Sequence, residues 1–252
     1  MACLPAPGSL RGVDLSGRVA IVTGGGTGLG AQVCRALASA GARVGVNYTR
    51  SEDAARELAS ILGLDVAVAV RADVRDEASV SAMIAEVQER LGGPVELLVN
   101  NAGVTTYAAP ADVAAVSAED WERILGVNLI GTWNCVRAVT TAMRARGVGA
   151  IVNVASDAAI TLDGSSVPYV ISKVGVVALT RMLAAALAPD VRVNAVAPGW
   201  MDTPWLDRYL PADVANGIRS GAEPVVPVDL VAREAVRLLA EDVTGVVTQM
   251  SA

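Results

Sequence analysis

The sequence predicts an α/β fold, a doubly wound, seven-stranded parallel sheet with helices on both faces. From Arg18 onward, short runs of β-branched residues alternate with segments whose apolar residues recur at helical spacing, the pattern of repeated βαβ units. Hydrophobic residues make up 53% of the 252 residues and aromatic residues only 3%, so the core must consist of Val, Leu, Ile and Ala. Such a core suits parallel strands that are buried on both faces.

Each predicted element has its own local pattern. Helical spacing is clear in Val80, Met83 and Val87, and Gly41 and Gly63 stand where helix C-caps are expected. A Ser117–Asp120 capping box predicts the start of a long helix that ends at Gly147. The predicted strands are Val19 to Val22, Arg43 to Asn47, Val66 to Val70, Glu96 to Val99, Ala150 to Val154, Arg192 to Val196 and Val246 to Gln249.

The chain reads as one domain, because no internal linker interrupts the alternation of elements. Residues 1–17 contain prolines and a Gly-Ser pair and are expected to form a loose N-terminal arm before a single domain over 18–252. Residues 200–226 are long and rich in Pro and Gly and follow a strand, so a lid is expected there.

Composition excludes several classes of function. The net charge of −6, without a Lys/Arg cluster, disfavours nucleic acid and anionic membranes as partners. The apolar stretch Val174 to Ala188 is interrupted by Arg181 and is short for a membrane span, so it predicts a buried helix. Three cysteines without metal-type spacing, no His and no secretory signal predict a cytoplasmic protein without a metal site.

A glycine-rich turn follows the first strand. It reads Thr23-Gly24-Gly25-Gly26-Thr27-Gly28-Leu29-Gly30. Glycines let a pyrophosphate approach the backbone, and the N-terminus of the next helix favours its negative charge. A tight turn without a ligand is the alternative, but the position within a βαβ unit favours a nucleotide site with Gly24, Thr27, Gly28, Leu29 and Gly30 as its residues.

The end of the second strand predicts which dinucleotide binds. Proteins that choose NAD usually carry an acid there, whereas this chain has Asn47-Tyr48-Thr49-Arg50-Ser51. Arg50 and Ser51 could bind a 2′-phosphate, so NADP(H) is favoured over NAD(H). The alternative is a solvated Arg50 and a helix N-cap at Ser51.

Tyr169 and Lys173 stand one helical turn apart, which predicts an acid/base pair. An ammonium near the phenol is expected to favour phenolate and so to lower the pKa of Tyr169. Ser156 follows the predicted strand Ala150 to Val154 at the edge where ligands bind, and could hydrogen-bond a reacting oxygen. An ordinary amphipathic pair and a loop cap are the alternatives.

Together these motifs resemble the short-chain dehydrogenase/reductase family, whose fold is Rossmann-type, from about Leu15 to Val247. The turn resembles the family's Thr-Gly-x-x-x-Gly-x-Gly pattern, and Asn100-Asn101-Ala102-Gly103 resembles its Asn-Asn-Ala-Gly element. The resemblance implies that Asn128 holds a water linking Lys173 to solvent and that Ser156 orients the substrate. It also implies cofactor contacts from Asp73, Val74, Asn101, Ala102, Gly103, Tyr169, Lys173, Pro198, Gly199, Met201 and Thr203.

The implied reaction is hydride transfer between a nicotinamide and a carbonyl or secondary alcohol, with Tyr169 moving the proton. An apolar ketone is the favoured substrate. A 3-oxoacyl-thioester reductase is the alternative enzyme, and a non-catalytic dinucleotide sensor or scaffold is the alternative of another class.

Two features depart from the family pattern, and one surface predicts assembly. Asp157-Ala158-Ala159 follows Ser156 where a glycine is common, and Thr248 to Ala252 lacks the usual Asp-Gly-Gly. Apolar surfaces over Trp121 to Met143 and Tyr169 to Leu187 predict a homotetramer or homodimer.

Overall fold

A seven-stranded, wholly parallel sheet forms the centre of the computed structural model, which describes residue 10 and residues 12–251. The strand order is β3-β2-β1-β4-β5-β6-β7, and every pair is parallel. This confirms the predicted fold class. The strands are β1 Val19–Val22, β2 Arg43–Tyr48, β3 Ala67–Arg71, β4 Val95–Asn100, β5 Ala150–Val154, β6 Arg192–Pro198 and β7 Val247–Met250.

The direction of winding reverses between β1 and β4. The chain runs outward from β1 through β2 to β3 and then returns to place β4 on the other side of β1. Loops that leave neighbouring strands in opposite directions open a crevice at their carboxyl ends, where ligands of open α/β sheets bind. The fold therefore places the glycine turn after β1 and Asn101 after β4 at the same crevice.

The helices cover both faces of the sheet. α1, α2 and α10 pack on one face around an apolar cluster that includes Leu37, Leu58 and Val236. α3, α5 and α7 pack on the other face around a cluster that includes Met83 and Met143. The helices are α1 Gly28–Ser39, α2 Glu52–Leu62, α3 Glu77–Leu91, α4 Ala118–Leu125, α5 Gly131–Arg146, α6 Ala158–Thr161, α7 Val167–Leu187, α8 Pro204–Tyr209, α9 Ala212–Arg219 and α10 Val228–Ala240.

Local sequence signals explain several helix ends. The capping box at Ser117 is present, with its hydroxyl accepting from the Asp120 amide and the Asp120 carboxylate accepting from the Ser117 amide. The helix it opens continues through a π-helical turn, Gly126–Ile130, into α5 and ends at Gly147, which is left-handed with φ 63°. Gly41 and Gly63 also have positive φ after their helices. These predicted caps are confirmed.

Only part of the predicted N-terminal arm, residues 1–17, is described by the structure. Residues 1–9 and 11 lie outside the described residues. Leu15 is buried, and its amide donates to the Ala40 carbonyl at 2.8 Å. The residues just before Arg18 are thus packed on the core rather than loose, because Leu15 fills an apolar site beside α1.

α7 is the one helix, within the described residues, that is long and apolar enough to cross a membrane by length and composition, with a mean hydropathy of 1.8. It packs on β6 and against α4 and the π-helical turn that follows α4. It also carries the buried Lys173, so it serves as a core helix of the sheet.

Candidate active site

A cleft of about 620 Å³ opens at the carboxyl ends of the strands, within the usual size range of small-molecule sites. All of the predicted site residues except Gly30 and Asn128 line this cleft. Those that line it are Gly24, Thr27, Gly28, Leu29, Arg50, Ser51, Asp73, Val74, Asn101, Ala102, Gly103, Ser156, Tyr169, Lys173, Pro198, Gly199, Met201 and Thr203.

The glycine turn has a backbone that side chains would not fit. Gly24 and Gly28 are left-handed, with φ 61° and 53°. A Cβ on Gly30 would lie 2.3 Å from the Gly24 carbonyl oxygen and 2.6 Å from the Asn101 amide nitrogen. The first turn of α1 can approach the strand end this closely only with glycine at position 30.

Neighbouring strand ends hold the turn in place. The Asn101 side-chain amide donates to the Thr23 and Gly24 carbonyls at 2.9 and 3.0 Å. The Thr23 hydroxyl accepts from the backbone amides of Asn101 and Ala102 at 2.9 and 3.0 Å. The Asn47 side-chain oxygen accepts from the Gly24 amide at 3.2 Å. Hydrogen bonds within the protein therefore fix the shape of the cradle.

The end of β2 presents Arg50 and Ser51 to the cleft. Ser51 occupies the N-cap position of α2 but makes no side-chain capping bond. Its hydroxyl oxygen lies 3.0 Å from where a Cβ on Gly26 would stand, so it faces the glycine turn. Arg50 is exposed, and its charge helps to lower the pKa of the Asp73 carboxyl.

Asp73 lines the cleft and is held by an ion pair. Its carboxylate accepts from the Arg75 guanidinium at 2.5 to 3.1 Å, and this contact is the main reason that its pKa is lowered. Asp73 does not cap the next helix, because Asp76 is the N-cap of α3 and accepts from the Ala78 and Ser79 amides. Val74 lies against Gly131, where a Cβ would stand 2.5 Å from its methyl group.

Tyr169, Lys173 and Ser156 meet in the middle of the cleft. Tyr169 and Lys173 lie on α7, and the Lys173 ammonium stands 5.7 Å from the centroid of the tyrosine ring. That ammonium is buried and donates to the Val154 carbonyl at 2.7 Å. Ser156 follows β5 and lines the same cleft as Tyr169, and its hydroxyl opposes the rise in the pKa of Tyr169. The sequence therefore brings all three groups to one point.

Burial determines the proton affinities of this pair. It raises the pKa of Tyr169 to about 12, while the hydrogen bond with Ser156 opposes the rise and the charge of Asp157 adds to it. Burial also lowers the pKa of Lys173 to about 8. The expected lowering of the tyrosine's pKa by Lys173 is not seen, because the ammonium is turned to Val154 and desolvation dominates.

Asn128 lies within the π-helical turn and is buried. Its side-chain oxygen accepts from the Val104 amide at 2.8 Å, and its nitrogen donates to the Val104 carbonyl at 3.0 Å and to Ser172 at 2.9 Å. Ser172 in turn donates to the Tyr169 carbonyl at 2.7 Å. The side chain thus ties the loop after β4 to the helix that bears Tyr169, and the water-holding role remains a prediction.

The segment after β6 covers the cleft with aromatic rings. The Trp205 ring lies 6.1 Å from the Tyr169 ring and 4.5 Å from the Tyr209 ring, measured between centroids. The segment leaves the sheet at Trp200 and returns at Val226, whose amide donates to the Trp200 carbonyl at 2.8 Å. It contains α8 and α9, two short helices that the sequence reading did not predict.

Other cleft residues were missed from the sequence. Asp157 had a signal, since it directly follows a strand at the ligand edge. Lys173, which was predicted, has a further signal besides its spacing from Tyr169, because it is the only lysine in the chain beside nineteen arginines. An ammonium loses its proton far more readily than a guanidinium when buried, so a lone lysine among arginines marks a position that needs this chemistry. The lining residues Tyr107 and Arg208 lie in loops and on α8 and had no such signal.

The described residues contain no group of three or more His, Cys, Asp or Glu side chains that could hold a metal ion. Cys34 and Cys135 are buried and unpaired, and burial raises the pKa of both thiols. Neither thiol is therefore an accessible nucleophile.

The sheet, the glycine cradle and the Ser-Tyr-Lys group define a nicotinamide-dependent oxidoreductase, and the chain belongs to the short-chain dehydrogenase/reductase family. Residues 18–213 match the family described as short chain dehydrogenase.

Curated relatives and a solved structure are similar to the chain. A granaticin polyketide synthase ketoacyl reductase of Streptomyces violaceoruber is 44% identical over 187 residues, 74% of each chain. A cis-4-hydroxycyclohexanecarboxylate dehydrogenase of Sinomonas cyclohexanicum is 38% identical over 238 residues, 91% of this chain and 92% of that one. A short-chain dehydrogenase/reductase structure from Burkholderia xenovorans has a TM-score of 0.81 and 29% identity, covering 92% and 95% of the two chains.

The residues present fit a nicotinamide dinucleotide. The cradle at Gly24, Gly28 and Gly30 leaves room that a Cβ would fill, and the N-terminus of α1 points its free amides toward it. When bound, the cofactor supplies the hydride, while the protein supplies position and proton transfer.

Proposed function

We propose that the chain is a cytoplasmic, NADPH-dependent reductase of small ketones. The observation that carries this proposal is the environment of Tyr169. Its phenol lies in the cleft with Ser156 and beside the Lys173 ammonium, 5.7 Å from the ring centroid, and a protonated phenol in that position is the acid that carbonyl reduction requires. The Trp205 ring beside Tyr169 and the Tyr209 ring packed on Trp205 favour an apolar substrate.

Each catalytic residue has one task in this mechanism. Tyr169 donates a hydrogen bond to the carbonyl oxygen and gives that oxygen its proton as the carbon is reduced. The Ser156 hydroxyl, which donates to Asp157 Oδ1 in the structure, turns to donate to the same carbonyl oxygen when substrate binds. Lys173 holds a positive charge behind the phenol and stabilises the tyrosinate that remains. Asn128 positions Ser172 and the start of α7. Exclusion of water by the residues above the cleft strengthens these interactions.

Arg50 and Ser51 support the choice of NADPH, since both line the cleft beside the glycine turn and no carboxylate stands at the end of β2. We expect Arg50→Ala to weaken NADPH binding about tenfold, the loss of a hydrogen bond to a charged group, and to leave NADH binding unchanged. Titration of the tryptophan fluorescence with each cofactor measures both.

Arg56→Ala is the matched control, because it removes the same charge from the exposed face of α2, where Arg56 pairs with Glu52. Tighter binding of NADH than NADPH by the wild type, or an equal loss for both cofactors in Arg50→Ala, would discard NADP preference.

A 3-oxoacyl-thioester reductase is the second candidate. It is favoured by the similarity to the Streptomyces ketoacyl reductase and by Arg208, an exposed cation at the cleft. Comparing kcat/KM for acetoacetyl-CoA and for cyclohexanone discriminates the two. A non-catalytic sensor is disfavoured because Ser156, Tyr169 and Lys173 are all retained.

The reducing cytoplasm as location is supported by the unpaired state of Cys34 and Cys135. A small carbonyl or alcohol is the proposed partner, and no nucleic acid or membrane is proposed. Assembly as a homotetramer or homodimer belongs to the same proposal.

A further inference from the structure

One carboxylate in the cleft has no part in the proton transfer described above. Asp157 follows Ser156 at the carboxyl end of β5 and is half-buried. Its Oδ1 accepts a hydrogen bond from the Ser156 hydroxyl at 3.2 Å. Its Oδ2 lies 2.9 Å from where a Cβ on Gly199 would stand, which places it between Ser156 and the end of β6.

The protein does not neutralise this carboxylate. No salt bridge to Asp157 exists among the described residues. Burial raises the pKa of Asp157, and the charge of Asp163 in the loop before α7 adds to the rise. On α7 itself Tyr169 faces it as a neutral phenol, and the Lys173 ammonium is committed to Val154. A half-buried carboxylate without a cationic partner costs folding free energy, and such groups cluster at functional sites.

We propose that Asp157 is a specificity-determining residue, which accepts a hydrogen bond from a hydroxyl group on the carbon next to the reacting carbonyl. The inference rests on the proposed reductase function and names the substrate class of that site: α-hydroxy ketones and the vicinal diols formed from them.

Position and charge both lead to this class. The reacting oxygen must lie within reach of the hydroxyls of Tyr169 and Ser156. When the Ser156 hydroxyl turns to the reacting oxygen, Asp157 Oδ1 loses that donor. Because Oδ1 lies one hydrogen bond beyond Ser156, a donor on the adjacent carbon of the substrate can take its place. A hydroxyl there satisfies the carboxylate, and such charge-assisted bonds are stronger than neutral ones. A carboxylate there meets like charge and is disfavoured.

The test uses three matched pairs of ketones, each with and without the adjacent hydroxyl: cyclohexanone and 2-hydroxycyclohexanone, butanone and acetoin, acetophenone and 2-hydroxyacetophenone. For every pair that turns over, we expect the wild type to prefer the hydroxy ketone in kcat/KM about tenfold, the effect of one hydrogen bond to a charged group. Asp157→Ala should bring the ratio near one. Asp157→Asn keeps the size and an acceptor oxygen but loses the charge, so its ratio should fall between the two.

Because the two ketones of a pair are compared in the same variant, any general loss of activity cancels from the ratio. This includes a loss caused by a misplaced Ser156. Asp163→Asn is the matched control, because it removes a carboxylate from the same wall of the cleft, and its ratio should equal that of the wild type. Fluorescence titration with cofactor verifies that each variant is folded.

The outcomes separate the two proposals. Ratios near one in the wild type, or a preference that both Asp157 variants retain, overturn this inference alone. Absence of turnover for all six ketones in a wild type that binds cofactor contradicts the proposed function and the inference with it.

Discussion

Lys173 is distinguished by its rarity in the sequence, its burial and its position beside Tyr169. It is the only lysine in the chain, and it is 4% exposed with its ammonium on a backbone carbonyl. A buried ammonium without a carboxylate partner loses hydration, which favours its neutral form. Burial therefore destabilises the positive charge on Lys173, and a negative charge that develops on Tyr169 would stabilise it.

We expect the pKa of Lys173 to be about 8 in the folded protein, compared with 10.5 for an ordinary lysine. Because only one lysine exists, protein labelled with ¹³C at lysine Cε gives one side-chain signal, and its NMR titration measures the value directly. A midpoint near 10.5 in folded protein would contradict the burial described here.

The same shift predicts how stability depends on pH. Between pH 8 and 10.5 the unfolded lysine binds a proton that the folded one lacks, so the free energy of unfolding rises with pH in this window. Lys173→Met lacks this contribution. Urea midpoints at pH 7.5 and 9.5 should therefore show the wild type gaining stability relative to Lys173→Met, and an unchanged difference would contradict the shift.

At the scale of elements, the turn between β1 and α1 is the part least able to accept change. Gly30→Ala would force a Cβ against the Gly24 carbonyl oxygen, and backbone must move to relieve it. We expect dinucleotide binding to fall by an order of magnitude or more, which calorimetric titration with NADPH measures.

Gly217→Ala is the control for this change. It is also a helical glycine, but its nearest neighbour would be the Ala222 side chain at 3.8 Å, an ordinary contact. It should bind cofactor normally and gain about 0.5–1 kcal/mol of stability from helix propensity. Normal NADPH affinity in Gly30→Ala would show that the cradle does not hold the dinucleotide.

The sheet was predictable from the sequence because buried parallel strands read as apolar runs. Strand ends were less so: β3 begins at Ala67 and β6 continues to Pro198, since pairing with neighbouring strands, not local pattern, decides where a ladder ends. α8 and α9 were not predicted because they are held by contacts distant in sequence, such as the Arg219 pairs with Asp202 and Asp207 at 2.8 Å.

The candidate site was also predictable only in part. Motif spacing placed Ser156, Tyr169 and the glycine turn at one cleft. The direction of the tyrosine's pKa was not predictable, because it depends on where the Lys173 ammonium points and on how deeply both groups lie. Asp157 was noticed only as a departure, since its neighbour Gly199 comes from another strand.

At the scale of the whole molecule, one face remains apolar. Along the π-helical turn, α5 and α7, large apolar side chains are exposed to water: Ile130 50%, Trp133 40%, Ile171 48% and Met182 71%. Apolar patches of this kind mark interaction sites.

We expect this face to join copies of the chain into a homotetramer or homodimer. Ile171→Glu should shift the oligomer toward monomer, because a buried unpaired charge is costly at an interface. Ile61→Glu on α2 is the control, at a residue 65% exposed on the other side of the sheet. Light scattering measures the mass of each, and a stable wild-type monomer at micromolar concentration would refute the assembly.

The central claim is that Tyr169 moves the proton, and Tyr169→Phe tests it most directly. The change removes one hydroxyl and little packing, so NADPH should bind as in the wild type while kcat for a ketone falls about 10²- to 10⁴-fold. Tyr209→Phe is the matched control, because it removes a hydroxyl from the same cleft and should keep activity. Turnover of Tyr169→Phe within a few-fold of wild type would contradict the mechanism.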